Sequence, residues 1–387
     1  MRYELIATAT FGLEAVVRRE IEKLDYKVLK TEDGKITFEG DKRAIVRSNL
    51  WLRTADRVLL KIAEFEARTF EELFQQTKAL MWEALIPPDG KFTVTGTSVK
   101  SQLHSVPACQ GICKKAIASR LGEVYMMETL PETGAEYTVK VTILKDRVTL
   151  TVDTSGFGLH KRGYRVKTVA APIKETLAAA MVQLSFWNKD RVLLDPCCGS
   201  GTIAIEAAMI GRNIAPGLSR SFACEEWEAI DKKLWKEEKK RAYDLMDNTS
   251  KLDIVAIDID KMAIEAAKEN AAKAGVDDCI RFINADMSRI KASQPSGIII
   301  TNPPYGERIG ERKQIAAIYS KYKKFFAENP SWSMFIVTTD KDIEGKVFGR
   351  KADRRRKLYN GRLEVCYYQF HGKKLGDNGK AKQAEQK

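Results

Sequence analysis

Residues 298–310 read Ile298-Ile-Ile-Thr-Asn302-Pro-Pro-Tyr305-Gly-Glu-Arg-Ile-Gly310. The β-branched run Ile298 to Thr301 has no polar alternation, which is the pattern of a strand buried on both faces of a parallel sheet. Pro303 and Pro304 cannot donate to a ladder, so the strand has to stop at Asn302. Each proline also biases the residue before it toward extended geometry, leaving Asn302 at a strand end above a stiff turn. The Asn302 side-chain oxygen and the adjoining proline carbonyl are two acceptors with no competing proline N–H. The exocyclic amine of a nucleobase has two hydrogens to place. Holding both frees the nitrogen lone pair for an electrophile, and Tyr305 offers a ring on which the base can stack. Asn302, Pro303, Pro304 and Tyr305 are therefore the expected catalytic element for methylating a base amine. The plain alternative is a strand followed by a proline turn.

Such chemistry needs a methyl-donor site upstream. Asp195-Pro-Cys-Cys-Gly-Ser-Gly-Thr202 follows an apolar strand over 191–194 and precedes a helix over 203–209. Gly199 and Gly201 let a ligand approach the backbone, and the helix start presents free N–H groups. Because Asp195 opens the loop, a pyrophosphate would be repelled and an ammonium or sulfonium attracted. The next strand, 253–257, ends at Asp258, placed to accept from the two hydroxyls of a ribose. A strand over 280–284 is closed by Asp286, which either accepts from an adenine amine or caps the turn that follows. Gly201 and Asp258 lie 57 positions apart, against roughly 20 in dinucleotide-binding units. Residues 212–250 therefore read as an insertion, with a charged surface helix over 225–246 carrying Trp227 and Trp235.

Before this half come two small strand-and-helix modules. Strands over 3–8 and 35–38, with helices from 12 and 41, make a unit over residues 1–55. Strands over 57–65, 91–99, 137–144 and 147–152, with helices over 69–79 and 106–121, make a second over 56–160. The Gly- and Arg-rich stretch 156–165 reads as a linker whose cations either contact phosphate or are simply solvated. A helix over 174–186 follows, and a final strand pair is expected around 346–348 and 365–370. The catalytic half spans 161–372, and the polar segment 373–387 reads as a disordered basic tail.

Net charge +13 and a pI near 9.2 point to a polyanionic partner. Nucleic acid fits better than an anionic membrane, since neither an apolar run of spanning length nor a lipidation motif is present. Seven cysteines without a Cys-x-x-Cys pair, and only three histidines, suit a reducing compartment and argue against structural zinc. A cytoplasmic location is expected.

In sequence these motifs resemble class I S-adenosylmethionine-dependent methyltransferases. More closely, the chain from about Tyr3 to His371 is similar to the THUMP-domain methyltransferases that modify guanine N2 in RNA. The matching points are Arg162-Gly-Tyr-Arg165, Ala171 to Ala178, Asp195 to Thr202, Ala215-Pro-Gly217 with Glu226-Trp227, and Asn302 to Arg308. The resemblance implies an α/β fold, a Rossmann-like seven-stranded methyltransferase sheet preceded by an α+β ferredoxin-like unit and a THUMP module. It further implies S-adenosylmethionine as cofactor; because the sulfonium donor becomes a neutral thioether and positioning carries the reaction, no metal is expected. Asp195, Gly199 and Gly201 would line its methionine part, Asp258 its ribose and Asp286 its adenine amine, with Pro196 and Thr202 also binding the cofactor. Arg165 and Pro172 would lie beside it, and Asn302 would lie between cofactor and base. The RNA expected first is 23S ribosomal RNA, then transfer RNA. Adenine-amine DNA methyltransferases share the Asn-Pro-Pro-Tyr tetrad and are a rival, but no separate DNA target-recognition region is visible. A non-catalytic RNA-binding protein is the remaining alternative.

Overall fold

The computed structural model describes residues 2–167, 172–289, 291–292, 294–305 and 311–374. In chain order the elements begin with β1 (Tyr3–Ala9), α1 (Glu14–Lys23), β2 (Val28–Glu32), β3 (Lys35–Gly40), α2 (Lys42–Trp51) and β4 (Ala55–Glu66). They continue with α3 (Phe70–Lys78), β5 (Lys91–Val99), α4 (Val106–Tyr125), β6 (Glu136–Leu144) and β7 (Arg147–Asp153). The seven strands form one sheet in the order β2-β3-β1-β4-β7-β6-β5. Long β4 explains how two modules share a sheet. Ala55 to Leu60 pairs with β1, and Leu59 to Glu66 pairs with β7 across a bulge. Local signals set the helix starts: Asp41 accepts from Ala44 N at 2.9 Å, and Thr69 with Glu72 makes a reciprocal capping box. At Lys145-Asp146 both turn residues have positive φ, as a tight hairpin with right-handed twist requires.

Residues 220–242 group with this first unit, which corrects the reading of 212–250 as a charged surface insertion. Trp227 is 1% exposed and lies before the helix, which runs only over Lys232–Asp244 (here α7). Its ring stacks on Tyr137 with centroids 4.9 Å apart, and its indole donates to the Glu136 carbonyl at 3.0 Å. From α7, Glu238 is fully buried and accepts from Arg43 and Arg47 of α2. The segment is thus packed structure, secured by a double-arginine clamp.

The second unit contains 10–16, 160–219 and 243 onward. Its elements are α5 (Glu175–Leu184), β8 (Leu193–Asp195), α6 (Thr202–Gly211), β9 (Ile254–Asp258), α8 (Lys261–Ala274), β10 (Ile280–Asn284) and β11 (Ile298–Thr301). After these come α9 (Glu311–Glu328), β12 (Ser333–Thr338), β13 (Arg354–Asn360) and β14 (Leu363–Phe370). The sheet order is β10-β9-β8-β11-β12-β14-β13, with β14 antiparallel to its neighbours. Alternate residues serve opposite faces. Leu193, Ile254, Ile298, Ile300 and Phe335 enter one apolar core, and Leu194, Val255, Ile299, Met334 and Ile336 enter the other. An unbroken apolar run in each central strand is what a sheet covered on both faces demands.

Several expectations are corrected here. β2 is not legible in the sequence, since its polar Lys30-Thr31-Glu32 gives little apolar signal. Residues 344–348 form a wide helical turn, not a strand, and the partner of β14 is β13, whose Arg354-Arg-Arg-Lys357 does not look like a strand by composition. The arginines of the 156–165 linker are internal. Arg162 is 2% exposed and pairs with fully buried Glu206 at 3.3 Å, and Tyr164 donates to the same carboxylate at 3.1 Å. The 373–387 tail lies outside the described residues from 375 onward.

Removing Arg162 would leave a buried carboxylate without its cation, a change that typically costs about 3–5 kcal/mol. Arg162→Met is expected to lower the thermal midpoint of this unit by on the order of 10 °C in differential scanning calorimetry. Glu206→Gln strands the buried Arg162 guanidinium in the same way and should be comparably destabilising.

Candidate active site

In an open, doubly wound sheet the ligand crevice forms at the carboxyl ends of the strands where chain order reverses. Here the chain runs outward from β8 through β9 to β10, then returns to β11 on the other side of β8. The reversal therefore lies between β8 and β11. Ile298 and Ile299 pair with Leu193 and Leu194, so Asp195 and Asn302 emerge from adjacent strands. On the other flank Asp195 is in register with Ala256 and Asn284 with Asp258. Asp286, Asp258, Asp195 and Asn302 thus follow four consecutive strands along one edge.

Asp195 is 1% exposed. Burial, with the nearby Asp258 charge adding to it, pushes its carboxyl up to about 8. It accepts a long 3.4 Å bond from Cys197 N, and its Oδ2 is buried without a hydrogen-bond partner among the described residues. A buried carboxylate oxygen left unpaired is costly, and a cationic ligand group would supply what it lacks. The loop around it suits a ligand that approaches backbone. Gly199 and Gly201 have φ of +52° and +80°, and a Cβ on Gly201 would stand 2.9 Å from that of Ala267. Glycine is thus required by conformation and by the close packing of α6 on α8.

Asp258 is already part of this loop: Oδ2 accepts from Gly199 N at 2.9 Å and Oδ1 from Asp260 N at 3.0 Å. Each oxygen retains a second lone pair for a hydroxyl. For Asp286 the capping alternative is realised, since it accepts from Ser288 N at 2.8 Å. Lys321 pairs with its other oxygen at 2.6 Å, and this ammonium, chiefly, holds the carboxyl down to about 2. Cys197 and Cys198 are held as thiols by burial, Cys197 up to about 12. They pack the loop and cannot serve as nucleophiles.

Arg165 commits four N–H bonds to protein: Glu175 at 2.7 Å, Ser200 at 3.4 Å, the Ile173 carbonyl at 2.9 Å and Thr202 at 3.1 Å. It braces the glycine loop against the segment leading into α5, and Thr202 Oγ1 is occupied by that brace. Pro172 is exposed beside the same segment. Sequence reasoning missed Asn270. It is 1% exposed and satisfies its whole amide: Val166 N and Lys167 N donate to it at 2.9 and 3.2 Å, and it donates to the Lys167 and Ser200 carbonyls, each at 3.1 Å. An asparagine inside an amphipathic helix carries no motif, so only its placement reveals the role. Also missed was Ile259, 72% exposed directly after Asp258, an apolar side chain open to a flat ligand.

Asn302 is half-buried at the end of β11, and its Oδ1 accepts the Tyr305 hydroxyl at 2.6 Å. This bond was not expected. Tyr305 is partly buried and packs against the core that contains Ile298 and Ile300. Residues 306–310, which complete the motif, lie outside the described residues.

Asn270→Ala removes four hydrogen bonds, one buried and three part-buried, so that some of the partners can reach water. It should cost about 2–3 kcal/mol and loosen the Gly199–Gly201 loop, seen as faster amide hydrogen exchange at Gly201 and Thr202.

Comparison with known proteins places the chain among methyltransferases. Family models match residues 4–59 as an RlmL ferredoxin-like domain, 67–153 as a THUMP domain and 162–369 as an RMKL-like methyltransferase domain. A Bacillus subtilis (strain 168) protein named "Putative RNA methyltransferase YpsC" is 49% identical over 96% of this chain and 97% of its own. Two crystal structures are similar along nearly their whole length. One, from Listeria monocytogenes and described as a "predicted N6-adenine-specific DNA methylase", is 47% identical over 96% and 97% of the two chains, with TM-score 0.92. The other, SMU.472, described as "a putative methyltransferase complexed with SAH", is 44% identical over 97% and 99%, with TM-score 0.91. With an acidic glycine loop at the switch point and these relatives along its full length, the chain belongs to the RlmL-like THUMP family of S-adenosylmethionine-dependent RNA methyltransferases.

Proposed function

We propose that this protein methylates the exocyclic N2 amine of a guanine in structured RNA, with 23S ribosomal RNA the first substrate to test and transfer RNA the second. The observation that carries this reading is the adjacency, across the β8/β11 switch point, of a buried unpaired carboxylate and a proline-locked asparagine acceptor. S-adenosylmethionine supplies an electrophilic methyl group. Asp195 holds the methionine ammonium, Asp258 the ribose hydroxyls, and Asp286 with Lys321 borders the adenine. Arg165, Asn270 and Thr202 keep the Gly199–Gly201 loop in shape.

Asn302 Oδ1 and the Pro303 carbonyl accept the two amine hydrogens, which orients the nitrogen lone pair. Tyr305 gives up its bond to Asn302 and stacks on the base. The amine needs no strong base before attack, because its proton becomes acidic once the nitrogen is methylated. Positioning and acceptor hydrogen bonds therefore carry the catalysis. The base must be extruded, at a cost of about a few kcal/mol that is smaller in a loop. The N-terminal modules, in which cations and carboxylates nearly balance, hold the surrounding RNA through individual exposed lysines and arginines.

Nucleoside mass spectrometry of ribosomal and transfer RNA, with and without the protein, tests the reading. N2-methylguanosine should appear only with it. Labelling of duplex DNA in preference to both RNAs would instead establish the adenine-amine alternative that the tetrad shares.

Asn302→Ala should lower transfer by about 10²–10³-fold while cofactor affinity measured by calorimetry stays within about twofold. Full turnover by this variant would remove Asn302 from the chemistry.

Asp195 gives a pH signature. Its folded carboxyl, near 8 against an ordinary 3.8, keeps a proton that the unfolded chain has lost between those values. Its contribution to the stability of the ligand-free protein therefore falls as pH rises through that window. An ammonium at Oδ2 restores the charged form. Cofactor binding at pH 7 is expected to release up to about one proton, read by calorimetry in buffers of different ionisation enthalpy. Asp195→Asn should abolish that release.

A further inference from the structure

We infer that the β13–β14 hairpin, together with the residue 10–12 loop, is a second RNA contact surface. It would take the single-stranded segment flanking the target base. This rests on the RNA reading above and adds to it a surface on the catalytic unit itself.

The first observation is charge. Seven of the residues 350–362 are Lys or Arg and only Asp353 is acidic. Some are neutralised: Arg350 pairs with Asp353 at 3.0 Å, Arg355 with Glu344 at 3.0 Å and Lys357 with Glu364 at 2.7 Å. Among the described residues, exposed Arg354 and Arg362 pair with no carboxylate. Cations along an edge strand often serve only to deter edge-to-edge pairing. That purpose is already met here. Gly12 lies so close that a Cβ on it would stand 2.6 Å from the Lys357 carbonyl, and Arg356 donates to the Gly12 carbonyl at 2.6 Å.

The second observation is that aromatic rings are interleaved with the cations. Phe11 is half exposed and meets Tyr359 edge-on, centroids 6.4 Å apart, while Lys357 Nζ sits 5.6 Å over the Tyr359 ring. A surface that offers ring faces and unpaired guanidinium groups together matches single-stranded nucleic acid. Bases stack on the rings while cations follow the backbone. Duplex would leave the rings unused.

Third, the register places this surface beside the site. Thr301, one residue before Asn302, is level with Ile336, then Tyr368, then Arg355. Three strand spacings of about 4.8 Å separate them, about 14 Å in all. β13 then runs on to the Gly361-Arg362 turn, projecting about 17 Å beyond Arg356. The hairpin is therefore a basic wall rising past the level of Asn302. A strand that delivers one base to Asn302 reaches it within a few nucleotides.

The test uses the full chain and a fluorescent single-stranded oligouridylate of about ten nucleotides, read by anisotropy over a salt series. Arg354→Ala/Arg362→Ala should reduce the salt slope by about 0.7 for each lost phosphate contact, and Phe11→Ala should weaken binding by about fivefold or more at fixed salt. In methylation assays both variants should raise KM for RNA while kcat and S-adenosylmethionine affinity stay unchanged, and Arg354→Lys/Arg362→Lys should recover the slope. Oligouridylate affinity and slope equal to wild type in both variants would overturn the proposal, as would an equal loss on duplex DNA. Failure of the wild type to methylate any RNA would defeat the functional reading instead, and the anisotropy result would still decide whether this surface holds a single strand.

Discussion

Two prolines end β11, and the arrangement of the site depends on that stop. Without Pro303 and Pro304 the ladder shared with β12 could run on, and Asn302 would be one more residue with its backbone tied into a sheet. With them, its side chain is left at the strand end beside β8, where the sheet changes direction. The same stop makes the Pro303 carbonyl an acceptor with no amide hydrogen nearby to compete. Rigid backbone here replaces side-chain machinery. The proposed reaction would ask mainly for two well-aimed acceptors, which a locked bend supplies without ordering flexible groups at the moment of transfer.

Around this bend the catalytic unit is built as successive braces. Arg165 and Asn270 tie the 165–167 and 173–175 segments to the glycine loop, and Asp258 reaches back to Gly199 from the next strand. The donor loop is consequently shaped by groups on β9, α8 and the segment before α5, as well as by its own glycines. Preorganisation of this kind lets Asp195 remain buried with an unsatisfied oxygen, a state tolerable only where surrounding structure fixes it. Tyr305 shows the opposite property. Its hydroxyl donates to Asn302 Oδ1 at 2.6 Å, so in this arrangement the acceptor at the strand end is already engaged.

Much of this was legible in the residues. Buried strands announced themselves by continuous β-branched runs, as at Ile298–Thr301 and Ile254–Ile257, because a parallel sheet covered on both faces leaves no polar side. The acidic opening of the donor loop and the strand-terminal position of Asp258 followed from the same logic. Less legible were elements stabilised by distant partners. β13 looks like a basic loop because its cations face outward and its apolar Leu358 is isolated. Trp227 reads as a surface aromatic until Tyr137, far away in sequence, is seen stacked on it. Asn270 carries no local signal at all.

The chain by itself determined where strands must end and which side chains emerge there, since proline chemistry, β-branching and glycine conformations act within a few residues. Those local rules were enough to propose an acceptor at Asn302 and a cation-seeking loop at Asp195. Only the tertiary structure decided that strands separated by roughly a hundred positions lie side by side, that linker arginines turn inward to Glu206 and Glu175, and that Asp286 is claimed by Lys321. Most of these join residues 35 or more positions apart, and Arg165–Glu175 closes a ten-residue loop. Their free energy comes from burial and from desolvated charge, and these exist only once the chain has closed on itself.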